Sequence, residues 1–141
     1  MPIAVTDYAH VRITVTDIER SRAFYDSVFG FDVAFDLPPD ADAATREQLG
    51  FLFGGVIYSF PGGLFGLRPV APGGDEFSED RVGLDHMSFQ LGSLAELREA
   101  AATLDSLGVA HEDIKDLGDA GFALLEFRDP DGIALEITAP N

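Results

Sequence analysis

The stretch Gly83-Leu84-Asp85-His86-Met87-Ser88-Phe89-Gln90 has the two-residue period of a β-strand, and its two faces differ. One face is mostly apolar and predicts a helix packed behind it; its members are Asp85, Met87, Phe89 and Leu91. The other face is unusually polar for a strand in the middle of a compact chain; its members are Leu84, His86, Ser88 and Gln90. This polar face indicates a functional surface.

Two further stretches alternate in the same way. Near the start, the polar-face residues are Tyr8, His10, Arg12 and Thr14, alternating with Ala9, Val11, Ile13 and Val15. Near the end, Ala134, Glu136 and Thr138 alternate with Ile133, Leu135 and Ile137. The three strands together offer two imidazoles and one carboxylate. We therefore expect His10, His86 and Glu136 to converge on one divalent metal ion.

Composition narrows the class of protein. A chain of 141 residues with 46% hydrophobic residues is long enough for one compact domain, 1–141, with a real core. The absence of cysteine excludes disulfides, thiolate zinc sites and cysteine nucleophiles. No apolar run reaches the roughly 18 residues of a membrane span, and the first residues contain no signal-like stretch, so a cytoplasmic protein is expected. The net charge of −16 predicts no nucleic-acid or membrane partner and indicates a solubilising surface.

The predicted elements repeat once. Module one spans about 8–69, a linker covers 70–82, and module two spans 83–138. Asp17 and Ser93 are predicted N-caps, and Gly30 and Gly108 end the two helices. The predicted strands are 8–15, 31–35, 51–60, 64–68, 83–91, 109–114, 122–128 and 133–138, with loops at 37–48, a possible lid, and at 115–121. We predict an α+β fold of two paired βαβββ modules, forming a curved, partly open barrel-like sheet around a cleft, with the helices outside.

Two stretches carry a resemblance to a known family. They are Ala23-Phe24-Tyr25 leading to Phe29-Gly30-Phe31, and Phe127-Arg128-Asp129-Pro130-Asp131-Gly132-Ile133-Ala134-Leu135-Glu136. This order of elements resembles the vicinal oxygen chelate superfamily, which includes glyoxalase I, extradiol dioxygenases, fosfomycin-resistance thiol transferases and bleomycin-resistance proteins. The resemblance implies that His10, His86 and Glu136 bind one divalent ion (Zn, Fe, Mn, Ni or Co) and leave positions open for substrate oxygens.

The chain departs from individual branches of this superfamily. The fourth ligand of glyoxalase I and methylmalonyl-CoA epimerase aligns with Leu67 or Phe65, and both are apolar. A set of three protein ligands instead resembles that of the extradiol dioxygenases and fosfomycin transferases. Glu126, however, stands where these proteins usually carry tyrosine. Bleomycin-resistance proteins generally lack the metal ligands, which disfavours that branch.

The remaining candidates each have a structural alternative. Glu126 is a candidate general base, although an exposed glutamate is commoner. Three polar residues are candidates for substrate contact or ordinary hydrogen bonding: Arg12, Ser88 and Gln90. Three aromatic residues are candidates for an apolar pocket, with core packing as the alternative: Phe51, Phe53 and Phe65. His111 is expected to face solvent.

Two functional hypotheses follow. The first is a metal-dependent enzyme that binds a small oxygenated substrate and stabilises an oxyanion, of the lyase or isomerase type, or a dioxygenase if the ion is Fe(II). The second is a non-catalytic protein that binds a drug or metabolite, as bleomycin-resistance proteins do. The resemblance also implies a homodimer.

Overall fold

The order strand-helix-strand-strand-strand occurs twice, as the sequence predicts. The computed structural model describes residues 1–141, which divide into two units, Met1–Gly74 and Asp75–Asn141. The strands and helices of the first unit are β1 (His10–Thr14), α1 (Ile18–Val28), β2 (Asp32–Phe35), α2 (Ala43–Gln48), β3 (Val56–Phe60) and β4 (Gly63–Arg68). Those of the second are β5 (Met87–Gln90), α3 (Leu94–Leu107), β6 (Lys115–Asp116), β7 (Phe122–Arg128) and β8 (Ala134–Pro140). The α+β class and the repeated βαβββ order are confirmed.

Each unit contains one open, mixed, four-stranded sheet. The strand order is β1-β4-β3-β2 in the first and β5-β8-β7-β6 in the second. In each unit the opening strand runs parallel to the last strand, and the other pairs are antiparallel. The predicted caps explain where the long helices begin. The side chains of Asp17 and Ser93 accept hydrogen bonds from Arg20 N and Glu96 N, which satisfy otherwise free N–H groups.

One face of the first sheet packs against α1. Tyr25 of this helix is fully buried, and its ring lies 5.1 Å from that of Phe65 on β4. The residues buried with them on this side include Ile13, Val15, Val56, Tyr58 and Leu67. The expectation that Phe65 lines a substrate pocket is therefore wrong, because its side chain belongs to the core between sheet and helix.

The second sheet is organised in the same way around α3. Burial alternates strictly along β7 and β8, so that Leu125, Phe127, Leu135 and Ile137 are buried while their neighbours in sequence are partly exposed. Leu97 and Leu104 of α3 are also buried. This alternation is what an amphipathic strand pattern predicts.

Several predicted boundaries are wrong. The stretch 51–60 forms a strand only from Val56, because Gly50–Leu52 is a 3-10 turn and both Phe53 and Gly54 have positive φ. The loop 37–48 contains α2. The strand predicted at 109–114 is reduced to a bridge between His111 and Phe127, and the paired residues lie later, at Lys115–Asp116. None of the helices is long and apolar enough to cross a membrane.

His111 is also placed differently from the expectation. Only 15% of its side chain is exposed, and its Nε2 lies 3.1 Å from Asp105 Oδ1 at the end of α3. Its Nδ1 lies 2.7 Å from the carbonyl oxygen of Glu112. Both partners only accept hydrogen bonds, so the doubly protonated ring fits best. The bond to Glu112, followed by that to Asp105, raises the pKa of His111 above its ordinary value.

We predict that His111→Gln lowers the free energy of unfolding most in mildly acidic solution. A histidine whose pKa is raised by folding contributes stability below its unfolded-state pKa and loses that contribution as pH rises through the folded-state value. The expected loss is below about 1 kcal/mol near pH 5.5 and smaller near pH 9. Urea unfolding at a series of pH values measures it. The Asp105→Asn variant should show part of the same trend, and a loss that is independent of pH would contradict the assignment.

Candidate functional site

The polar face predicted for module two exists and draws on three adjacent strands. Ser88 on β5 lies opposite Glu136 on β8, and Glu126 on β7 lies opposite the same Glu136. Residues directly opposite each other in paired strands project to the same face. Gln90 and Thr138 form the next pair along this face. The structure therefore brings Glu126 to the polar face.

His86 precedes β5 and is held by its neighbour. Its Nδ1 lies 2.5 Å from Asp85 Oδ1. A carboxylate accepts, so Nδ1–H donates, and the lone pair of the neutral ring is on Nε2. Nε2 lies 4.0 Å from Glu136 Oε2. The hydrogen bond to Asp85 is the main reason why the pKa of His86 is raised. The negative charges of Glu136, Asp85 and Glu126 contribute less.

Two hydroxyl groups orient the Glu136 carboxylate. Thr138 Oγ1–H donates to Glu136 Oε1 at 2.9 Å. Ser88 Oγ lies 2.6 Å from Thr138 Oγ1, and because the single proton of Thr138 is already given to Glu136, Ser88 is the donor. The sequence placed Thr138 on this face but assigned it no role. These two hydrogen bonds restrict the rotation of the carboxylate.

The face carries opposed like charges. Glu126 and Glu136 lie directly across from each other, an arrangement that costs free energy on a sheet. Lys115 donates to Glu126 Oε2 and offsets part of this repulsion. The sequence did not single out Lys115, which it placed in a loop. These residues line a cavity of about 540 Å³ that also includes an ion pair between Arg128 and Glu79.

The corresponding face of the first unit has a different character. His10 and Arg12 lie opposite Leu64 and Gly66 of β4 and project from the side of the sheet away from α1. With Phe51 they line a cavity of about 210 Å³ that also includes Val11 and Ile57. Phe51 is 46% exposed, and its ring contacts that of Phe35 edge to face. Two of the three predicted pocket aromatics, Phe51 and Phe53, are thus exposed residues of the first unit.

The sheet register corrects the position of the missing fourth ligand. Residue 12 pairs with residue 66 in the first unit, as residue 88 pairs with residue 136 in the second. The position equivalent to Glu136 is therefore Gly66. Leu67 and Phe65, to which the sequence assigned this position, are buried core residues. Gly66 has no side chain to ligate a metal, so the conclusion that no fourth protein ligand is present there stands for a different reason.

The three predicted metal ligands belong to two different units. His86 and Glu136 face each other in the second unit, and His10 belongs to the first unit. No group of three or more histidine, aspartate or glutamate side chains is arranged to hold a metal ion.

Comparison with known proteins identifies the family. Residues 8–137 match the model of the Glyoxalase/Bleomycin resistance protein/Dioxygenase superfamily, so the chain belongs to that superfamily. The uncharacterized protein YaeR of Escherichia coli K12 is 30% identical over 130 residues, covering 91% of this chain and 92% of YaeR.

Solved structures of other proteins have a fold similar to that of this chain. A glyoxylase/bleomycin resistance protein/dioxygenase domain from Frankia sp. EAN1pec has a TM-score of 0.75 at 26% identity and covers 98% of this chain and 94% of its own. A variant of the fosfomycin resistance protein FosX from Listeria monocytogenes, complexed with Mn(II) and 1S,2S-dihydroxypropylphosphonic acid, shares the fold. Its TM-score is 0.72 at 18% identity, with 98% and 95% of the two chains covered.

We predict that Asp85→Asn lowers the pKa of His86 in metal-free protein toward the ordinary histidine value. The hydrogen bond from Nδ1 to the Asp85 carboxylate is the largest cause of the raised pKa, and an amide does not stabilise the imidazolium in the same way. Titration of the ring C–H signals by NMR measures the change. The pKa of His111, which has other partners, serves as the internal control. An unchanged His86 pKa would contradict the interaction.

Proposed function

We propose that this member of the superfamily is a metal-dependent enzyme acting on a small oxygenated substrate. In this proposal His10, His86 and Glu136 bind one divalent ion, and the reaction is of the lyase, isomerase or dioxygenase type. The observation that carries the proposal is the orientation of His86. Its Nδ1 is fixed by Asp85 and its Nε2 faces Glu136. A carboxylate bonded to the outer nitrogen of a histidine is the usual support for a metal-binding imidazole.

The donors of the second unit fit a metal ion chemically. Nitrogen and oxygen ligands each lie about 2.0–2.2 Å from zinc, so two atoms bound to the same ion lie no more than about 4.4 Å apart. The 4.0 Å between His86 Nε2 and Glu136 Oε2 is within this limit. Imidazole and carboxylate suit zinc, iron, manganese, nickel and cobalt. A bound ion would supply Lewis acidity that stabilises negative charge on a substrate oxygen.

The neighbouring side chains supply positioning and proton transfer in this proposal. Glu126 lies on the same face as Glu136 and is held by Lys115, so a substrate bound in the cavity meets a carboxylate able to accept a proton from carbon. Gln90 is exposed on the same face and is available to a substrate oxygen. Ser88 acts indirectly, through Thr138 and the orientation of Glu136.

Metal content tests the ligand set. We expect protein purified without chelator or affinity nickel to contain close to one equivalent of a divalent metal by mass spectrometry. His10→Ala, His86→Ala and Glu136→Gln should each lose most of it, because each removes one of three protein ligands. His111→Ala removes the remaining histidine and should retain the metal.

Two outcomes would contradict the proposal in different ways. Full metal content in His10→Ala would remove the first unit from the site. If the parent protein binds no metal, even after incubation with several divalent ions, the proposal of a metal-dependent enzyme is wrong. That outcome would favour a protein that binds a drug or metabolite without chemistry.

We predict that Thr138→Val weakens metal binding about 10–100-fold while leaving the three ligands in place. Valine has nearly the same shape but cannot donate to Glu136 Oε1 or accept from Ser88. Competition with a chromogenic chelator measures the affinity. Thr103→Val is the matched control, since Thr103 lies on α3 and its hydroxyl donates to Glu99 O. Equal affinity in both variants would show that the hydroxyl chain has no influence on the site.

A further inference from the structure

Two arginines of the first unit share one aromatic ring. The guanidinium carbon of Arg68 lies 4.2 Å from the ring centroid of Phe53, and that of Arg12 lies 5.9 Å from the same centroid. Arg12 on β1 and Arg68 on β4 project from the same side of the sheet, because Arg68 pairs with Thr14 two residues along from Arg12. Two positive charges are therefore held beside each other on the face that also carries His10.

Neither arginine is neutralised by the protein. The chain has 25 acidic and 9 basic residues, yet no carboxylate lies within ion-pairing distance of Arg12 or Arg68. Arg12 Nη2 donates to the carbonyl oxygen of Leu52 at 2.9 Å, and its buried Nε–H has no hydrogen-bond partner. Partial burial and the charge of Arg68 both lower the pKa of Arg12. No carboxylate offsets this electrostatic cost, although the chain is strongly acidic.

Gly66 creates the room for this arrangement. A Cβ atom at Gly66 would lie 2.9 Å from Arg12 Cγ and 3.3 Å from Ile57 Cγ1. The arginine stem therefore crosses β4 where that strand has no side chain, and this brings the guanidinium to Leu52 and Phe53. In the second unit the equivalent position holds Glu136.

The backbone at Phe53 is also unusual. Phe53 has φ 52° and ψ 33°, and it is the only residue other than glycine with a positive φ. The left-handed region is energetically unfavourable for a bulky residue, which persists there where the surroundings or a function require it. Phe53 is 55% exposed, so core packing does not explain why it occupies this conformation.

We propose that Arg12 and Arg68, held over Phe53, bind the carboxylate or phosphonate group of a small organic anion, and that the apolar part of this ligand occupies the adjoining cavity. Arginine presents its N–H donors in a fork that matches both anionic groups. The cavity of about 210 Å³ lies beside Arg12 and is mostly apolar, lined by Val11, Phe51, Ile57 and Leu64. It is below the roughly 300–1,000 Å³ of pockets for drug-sized ligands, which limits the ligand to a small metabolite.

His10 lines the same cavity. The inference rests on the proposed function in one respect: the anion bound by the two arginines is also the substrate, and it offers an oxygen to the metal. The anion site itself involves no metal and can be tested without one.

The test uses metal-free protein and three probes of similar size. Benzoate carries a planar carboxylate, phenylphosphonate carries a tetrahedral anionic group, and benzamide is the neutral control. NMR titration of the backbone amides gives the affinity and the location. We expect at least one anion to shift signals of β1, β4 and residues 51–54, and to bind about tenfold more weakly to Arg12→Gln and to Arg68→Gln. The stronger of the two anions identifies the group recognised.

Arg98→Gln is the matched control, because it removes the same charge from α3 in the other unit and should not change binding. Arg68 makes no side-chain hydrogen bond, so Arg68→Gln should fold normally even if Arg12→Gln does not. Benzamide binding as tightly as the anions, an equal effect of Arg98→Gln, or no anion binding at millimolar concentration would each overturn the proposal. The metal content of the protein tests the proposed function, and these titrations test the anion site. Either proposal can therefore fail without the other.

Discussion

The polar face of the second unit depends on the turn that Asp129 closes. Asp129 is 6% exposed, and one of its carboxylate oxygens accepts hydrogen bonds from Asp131 N and Ile133 N, each at 2.9 Å. These bonds replace water for two backbone groups and fix where β8 begins relative to β7. The register that follows sets Glu126 against Glu136. A slip of one residue would move Glu136 to the side of α3 and the buried Leu135 to the polar face.

Much of the fold was predictable because the information is local. The alternation in β7 and β8, the caps Asp17 and Ser93, and the helix-ending Gly108 all act over a few residues, and the structure confirms each of them. The prediction failed where a local pattern competes with backbone geometry. Residues 51–60 are rich in apolar and aromatic residues and suggest a long strand. Gly55, however, approaches the carbonyl oxygen of Leu67 so closely that a Cβ would lie 1.8 Å from it, and the chain turns there instead.

The candidate site was predictable only to the extent that it lies on single strands. The strand pattern placed His86, Ser88 and Glu136 on polar faces. It gave no indication of Lys115 or of Arg68, because their roles depend on which residues lie across from them in neighbouring strands. The assignment of Phe65 failed for the same reason: from sequence alone, an aromatic residue on a strand fits either face, and only the contact with Tyr25 decides between them.

The two units use one scaffold to build faces of opposite charge. At equivalent positions the second unit has Ser88 opposite Glu136, and the first has Arg12 opposite Gly66. In the second unit, Glu126 and Glu136 lie opposite each other, and Lys115 offsets only part of their negative charge. In the first, the loss of the equivalent side chain lets an arginine cross the strand, and a second arginine joins it. Each face thus holds neighbouring like charges, negative in the second unit and positive in the first. The single residue that occupies the equivalent position of the last strand, Gly66 in one unit and Glu136 in the other, therefore decides the charge of each face.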